Sequence, residues 1–278
     1  MELSWFKSFL YGLFSGLFDI LPISSQAHSV LLLKFFGVKA STDLMNLMIH
    51  LAICGALYYS SQTQLIRMSR ARALARVPKR KRKRPLDVRS MMDWSLLKTM
   101  AVPAVLGLFL RKYTAGLSSN LMLIALFLFL NGVILYLPQF FPTSNRDSRT
   151  LSRVEGLLMG FGGIIAAVPG ISAIGAATSI ASVCGVERSY GLNMALLMNL
   201  VISAGLAVYD ILGIASNGFG SLSLVIVLQY ILTAAAAFAG TLAAVNVMRR
   251  LAAGQGFSLF GVYCWGLALF TFILNLMA

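Results

Sequence analysis

The run Asp19-Ile20-Leu21-Pro22-Ile23-Ser24-Ser25-Gln26-Ala27-His28 gathers an acid, two hydroxyls, an amide and an imidazole between two apolar stretches, 6–21 and 29–36. Polar groups are costly in such surroundings unless they have partners or work to do. A hydroxyl three residues before a histidine, as Ser25 stands to His28, could serve as nucleophile with the imidazole as base. The acid, Asp19, would then orient the imidazole or hold a divalent cation. The same donors, Ser24, Ser25 and Gln26, together with amides at the start of the half-helix after Pro22, could instead hold a phosphate. A structural account is also open, in which Ser24 or Ser25 caps that helix and His28 satisfies a backbone carbonyl.

A second break, Pro169-Gly170-Ile171-Ser172, opens a stretch that runs to Thr178-Ser179 and offers hydroxyls and flexible backbone but no charge. As a phosphate cradle it lacks a cation. The nearest basic residue along the chain, Arg188, lies some 16 positions after Ser172, around 24 Å away at ~1.5 Å per helical residue, and reads as a membrane boundary. His50, in the middle of an apolar run, is expected to bond within the bundle rather than to do chemistry. Asp210 is expected near the end of its span, where a carboxylate is cheap and a proton or cation role is not favoured. Asn46 and Asn193 are expected to face a shared midplane cavity. Gly12, Gly16, Gly160 and Gly163 fit close helix packing.

The elements that must carry these groups follow from composition. The 278 residues are 58% hydrophobic and 12% charged, with a mean hydropathy of +0.82, where a soluble domain carries about a quarter charged residues. The chain is an integral membrane protein, which excludes a soluble globule, a disordered chain and a secreted disulfide scaffold. Cys54, Cys184 and Cys264 are far apart in apolar segments and read as small buried hydrophobes, neither a disulfide nor a metal set. The N-terminus does not read as a cleaved signal, because its apolar run is broken by Asp19.

Arg67, Arg70, Arg72, Arg76, Lys79, Arg80, Lys81, Arg82, Lys83, Arg84 and Arg89 crowd one stretch, opposed there only by Asp87. Between two apolar spans, such a stretch predicts a cytoplasmic loop, 61–95, resting on anionic membrane lipids. Nucleic acid is not the expected partner, since the loop is too short and polar to build a binding domain. With that loop inside, spans at 44–60, 96–110 and 121–141 place Arg146, Arg149 and Arg153 inside as well. Residues 156–186, broken at Pro169, suit a re-entrant hairpin, and spans at 190–212, 222–247 and 257–277 follow. The first 40 residues form a second such hairpin. The expected fold is therefore all-α: six transmembrane helices plus two re-entrant helical hairpins, with both termini outside.

A shift of 147 residues superposes Gly16 on Gly163, Pro22 on Pro169, Ser25 on Ser172 and Asn46 on Asn193. One integral membrane domain, 1–278, thus divides into a repeat at about 1–141 and another at about 150–278, inverted because each holds an odd number of spans. Two broken helices then face each other near the bilayer midplane, where half-helix ends can bind an anion.

The segment Gly12-Leu13-Phe14-Ser15-Gly16-Leu17-Phe18-Asp19-Ile20-Leu21-Pro22-Ile23-Ser24-Ser25-Gln26-Ala27-His28 resembles the first signature of the undecaprenyl-diphosphate phosphatase family, known for bacitracin resistance, whose pattern is close to EGxTEFLPVSSTGH. Pro169-Gly170-Ile171-Ser172 resembles the start of its second signature, PGxSRSGAT, and further likeness lies in Val102-Pro103-Ala104-Val105-Leu106-Gly107, Gly185-Val186-Glu187-Arg188 and Phe257-Ser258-Leu259-Phe260-Gly261-Val262-Tyr263. The resemblance implies the same six-span, two-hairpin fold in a bacterial cell membrane. It implies a polyprenyl diphosphate substrate, cleaved to the monophosphate at the outer face to recycle the cell-wall carrier lipid.

Carried over by position, Ser25 or His28 is the nucleophile, and Asp19 stands at the second glutamate, where it would hold any Mg²⁺ or Ca²⁺. Ser24, Gln26, Gly170 and Ser172 would bind substrate. The chain departs from the pattern at Ser15, in place of the first glutamate, and at Ala173, in place of the arginine. It departs again at Ile174, Ala177, Asn193 and Cys264. Losing one cation that neutralises a transferred phosphoryl group typically costs a factor of about 10² or more. Two outcomes stay open: weak hydrolysis, or a non-hydrolytic protein that binds or transports polyprenyl phosphates. The oligomeric state is not legible.

Overall fold

The computed structural model describes residues 4–38, 41–142, 145–218, 223–252 and 257–277. Within them the chain is helical: α1 (Trp5–Ile20), α2 (Ser25–Phe36), α3 (Asp43–Ala75), α4 (Val88–Thr114), α5 (Leu121–Tyr136), α6 (Arg153–Ile165), α7 (Ala173–Val183), α8 (Arg188–Asn217), α9 (Leu224–Ala252) and α10 (Phe257–Leu276). Six of these are long and apolar enough to cross a membrane: α3, α4, α5 with its 3-10 extension to Phe140, α8, α9 and α10. They are the six spans expected from the sequence. The other four form two pairs of short helices, α1 with α2 and α6 with α7, broken where proline and glycine fall.

The basic stretch differs from the expected loop. Helix α3 runs on through Ala75 and α4 begins at Val88, so the non-helical connection is only 76–87, with a 3-10 turn at Lys79–Lys81. Residues 61–75 are Ala, Leu, Gln, Arg and Met for the most part, all strong helix formers, and no proline interrupts them until Pro78. At 33 residues α3 is about 50 Å long at ~1.5 Å per residue. Its arginines therefore extend well beyond an apolar layer of ~30 Å.

That end of the bundle is tied together by polar contacts. Arg72 lies over the Trp94 ring at 5.0 Å and Arg89 over Tyr190 at 5.7 Å. The buried Asp93 carboxylate accepts from the Tyr190 hydroxyl at 2.7 Å and from Ser148. Asp147, in the connection between α5 and α6, pairs with Arg149 at 2.9 Å and Arg89 at 3.5 Å. The side-chain bond to Arg149 holds the Asp147 carboxyl below the usual carboxylate range. The basic stretch, Arg146, Arg149 and the start of α8 thus share one end.

Packing is close where glycines meet backbone. Helix α1 lies on α9, with Gly12 against Thr233 and Gly16 against Ala237; α6 lies on α4, with Gly160 against Met100 and Gly163 against Ala104. A Cβ at any of these four would collide with the facing chain, as expected for small-residue helix contacts. Helix α5 pairs with α10 and α3 with α8. The cysteines are free, with Cys264 fully buried.

Candidate functional site

The two breaks meet. After α1, Leu21 leaves the helix and Pro22 prevents its continuation. Ser24 then takes a φ of +70°, a left-handed value that is uncommon outside glycine. Four hydrogen bonds hold it there. Its hydroxyl caps α2 by accepting from Ala27 N at 3.4 Å and also accepts from Gly170 N, in the second break, at 3.0 Å. Its carbonyl accepts from His28 N at 3.3 Å and from His28 Nδ1 at 2.8 Å.

Gly170, at φ +115°, is packed against Phe127 and Leu128 of α5, so only a residue without a Cβ fits. Asn131, fully buried on α5, clamps both breaks: its amide donates to Pro22 O at 2.9 Å and its oxygen accepts from Ser172 N at 3.0 Å. Gln26 adds a fourth link by donating to Ala166 O at 3.2 Å.

In front of this joint lies a cavity of about 790 Å³. Its walls come from α1 and α2, the first half of α3, the last turn of α4, and the C-terminal part of α8. It sits at the end of the bundle opposite the basic stretch, since it takes in Asp43 at the start of α3 and Arg111 at the end of α4. A volume of this size is within the range of small-molecule sites. Its polar wall includes Asp19, Ser25, Gln26, Asn46, His50 and Asp210, and its apolar wall includes Val30, Leu33, Ile49, Leu121 and Leu206.

Of the residues singled out in the sequence, Asp19, Ser25 and Gln26 line the cavity. Ser24, His28, Gly170 and Ser172 do not; they form the joint behind it. Asp19 does not orient His28. Its Oδ1 accepts from Ser25 Oγ at a long 3.5 Å, and its Oδ2 accepts from Asn199 Nδ2 at 2.7 Å. Both His28 nitrogens are engaged: Nδ1–H donates to Ser24 O, so Nε2 accepts from the Tyr263 hydroxyl at 2.9 Å. Phe18 packs on the same ring at 4.2 Å. Ser172 caps α7 by accepting from Gly175 N at 3.2 Å.

The imidazole that does face the cavity is His50, whose Nδ1 lies 2.6 Å from Asp210 Oδ2. Its expected bond within the bundle is there, but the partner is the carboxylate that was expected at an interface, which is instead buried. Asn46 reaches the cavity and Asn193 is not part of its wall; the α8 amide that acts there is Asn199.

Sequence reasoning missed Arg111, Asn131, Asn199 and Tyr263. Arg111 falls just past the span expected at 96–110, and with Lys112 it marks a basic pair at the end opposite the rich basic stretch. Asn131 and Asn199 each had a signal, a lone amide inside an apolar run. Tyr263 belongs to the last span, and only folding brings it to His28.

These donors do not fit a resident Mg²⁺ or Ca²⁺, which takes six or more oxygens in most sites. No group of three His, Cys, Asp or Glu side chains suited to a metal occurs among the described residues. Both Asp19 oxygens already accept hydrogen bonds, and Asp210 is held by His50. Two positive charges are at hand: Arg111, which is attracted to Asp210 and Asp19, and the exposed Lys34, which also lines the cavity.

Comparison with known proteins accords with this architecture. The chain is 27% identical to an undecaprenyl-diphosphatase of Desulforapulum autotrophicum, over all of both chains. It is 25% identical to undecaprenyl-diphosphatase 1 of Shouchella clausii, covering 98% of this chain and 96% of that one. It is 26% identical to an undecaprenyl-diphosphatase of Methanobrevibacter smithii, covering 96% of each. A family profile, bacitracin resistance protein BacA, matches residues 8–270, and the chain belongs to that family.

Proposed function

We propose that the protein removes the terminal phosphate of undecaprenyl diphosphate, or a similar polyprenyl diphosphate, and releases the monophosphate carrier lipid. The observation that carries this reading is the Asn199–Asp19–Ser25 chain of hydrogen bonds on the wall of a large, part-polar and part-apolar cavity. In the reaction, Ser25 Oγ attacks the terminal phosphorus and passes its proton to Asp19, while Asn199 keeps the carboxylate aimed. The bond to the bridging oxygen breaks and the polyprenyl monophosphate leaves. Water then attacks the phosphoserine, releasing inorganic phosphate and returning the proton to Ser25. His28 is the positioning residue that holds Ser24, and through it the break, in place. Gln26 takes part in binding from the cavity wall, while Gly170 and Ser172 act from behind by fixing the joint.

Several features support the membrane setting. The exchange of partners, α1 on α9 matched by α6 on α4, with α5 on α10 and α3 on α8, is what an inverted repeat built on two re-entrant hairpins would give. Under the positive-inside rule the basic end is cytoplasmic, resting on anionic headgroups. The cavity then opens at the outer face of the cell membrane, both termini lie outside, and the apolar wall receives the first prenyl units.

The test is release of inorganic phosphate from a polyprenyl diphosphate by the purified chain in detergent. Ser25→Ala and Asp19→Asn should each lower turnover by about 10²–10⁴, the usual worth of a positioned acid–base group. The competing reading, a carrier-lipid binder or transporter without hydrolysis, draws on a second small polar cavity of about 40 Å³ between α7 and the start of α10, where the buried Ser179 Oγ has no hydrogen-bond partner among the described residues. No phosphate release at any Mg²⁺ or Ca²⁺ concentration, together with saturable lipid binding, would decide for that reading.

A further inference from the structure

Arg111 stands in the last turn of α4, where its charge suits the negative end of the helix. It is half-buried and lines the large cavity. Its guanidinium carries five N–H donors, yet it makes no hydrogen bond or close ion pair with any described residue; Asp210 and Asp19 attract it only from a distance. The guanidinium therefore keeps its donors for a group in the cavity, which is large enough for a phosphate, while the carboxylates nearby are already engaged by Ser25, Asn199 and His50.

We infer that Arg111, rather than the exposed Lys34 that also lines the cavity, takes the terminal phosphate of a diphosphate ligand directly, without a bridging divalent metal. This deepens the reading proposed above and rests on it. Charge neutralisation thus comes from α4 rather than from the second break, where position 173 is alanine. A planar guanidinium can grip two phosphate oxygens at once, which a single hydrated cation such as lysine does less well.

The test is equilibrium binding of farnesyl diphosphate to the purified full-length chain in detergent, with EDTA and again with Ca²⁺. The wild-type Kd should change by less than about threefold between the two, whereas Arg111→Gln should weaken binding at least tenfold, the usual loss for a charge-assisted bond. Arg111→Lys should recover part of that loss. Because Arg111→Gln also removes a positive neighbour of two buried carboxylates, the double variant Arg111→Gln/Asp210→Asn serves as a folding control. It should elute as a single species on size exclusion and still fail to bind. Binding abolished by EDTA, or unchanged in Arg111→Gln, overturns the inference while leaving the phosphatase reading intact. A wild-type chain that binds no diphosphate under either condition overturns both.

Discussion

Asn131→Leu tests whether the joint between the two breaks is what makes the site. The leucine keeps the branched shape and the number of heavy atoms, so it leaves no cavity, and the main loss is of hydrogen bonds. Two buried main-chain groups, Pro22 O and Ser172 N–H, lose the partners they have at 2.9 and 3.0 Å. A buried polar group without a partner costs about 1–3 kcal/mol, so the pair should cost about 2–6 kcal/mol. For a chain of this size each kcal/mol lowers the melting temperature by about 2–4 °C, and the variant should melt roughly 5–20 °C below the parent. The assay is thermal stability in detergent followed by size exclusion, since unfolding of such proteins is commonly irreversible. Leu126→Ala, on the exposed face of the same helix, is the control and should stay near the parent. If Asn131→Leu melts within 2 °C of the parent, about the effect of 1 kcal/mol or less, the breaks are not held by this clamp.

Other consequences can be checked separately. Gly12→Val should prevent α1 from seating on Thr233 of α9 and reduce the yield of folded protein, whereas Gly266→Ala, which meets nothing nearby, should be neutral in the same expression test. The Asp147 carboxyl, lowered by Arg149, stabilises the fold while it is ionised; that contribution is present above the ordinary carboxylate range and lost as pH falls through the lowered value. Asp147→Asn should therefore be less stable than wild type at neutral pH, and the gap in melting temperature should close on acidification; a gap that persists or widens would contradict the pairing. With Cys54, Cys184 and Cys264 replaced by alanine, a cysteine at Ser119, beside the cavity, should react with an impermeant maleimide added to intact cells. One at Lys81 should react only after lysis, and the reverse pattern would invert the proposed orientation.

Much of this molecule is legible in its residues taken in order. Long apolar runs dictate spanning helices because a bilayer leaves main-chain polar groups no other partner. The positions of Pro22 and Pro169-Gly170 dictate where two of the helical units must break. Asp19, Ser25 and Gln26 could be singled out because polar groups in oil need a reason. The end of a helix is less legible: residues 61–75 are charged enough to look like loop, yet their strong helix propensity carries α3 far beyond its apolar part.

What the order of residues leaves undecided is which groups meet. Asp19 had an obvious partner in His28, nine positions along the chain, but the left-handed turn at Ser24 directs the imidazole backwards to Ser24 O and Tyr263. The carboxylate is left to Asn199, 180 residues away. The same holds for Arg111, His50 and Asp210, from three different helices, which share a wall only because α3, α4 and α8 pack side by side. Helix periodicity and proline chemistry are local and can be read residue by residue, whereas the charge balance of a cavity is a sum over distant segments that exists only after the helices have packed.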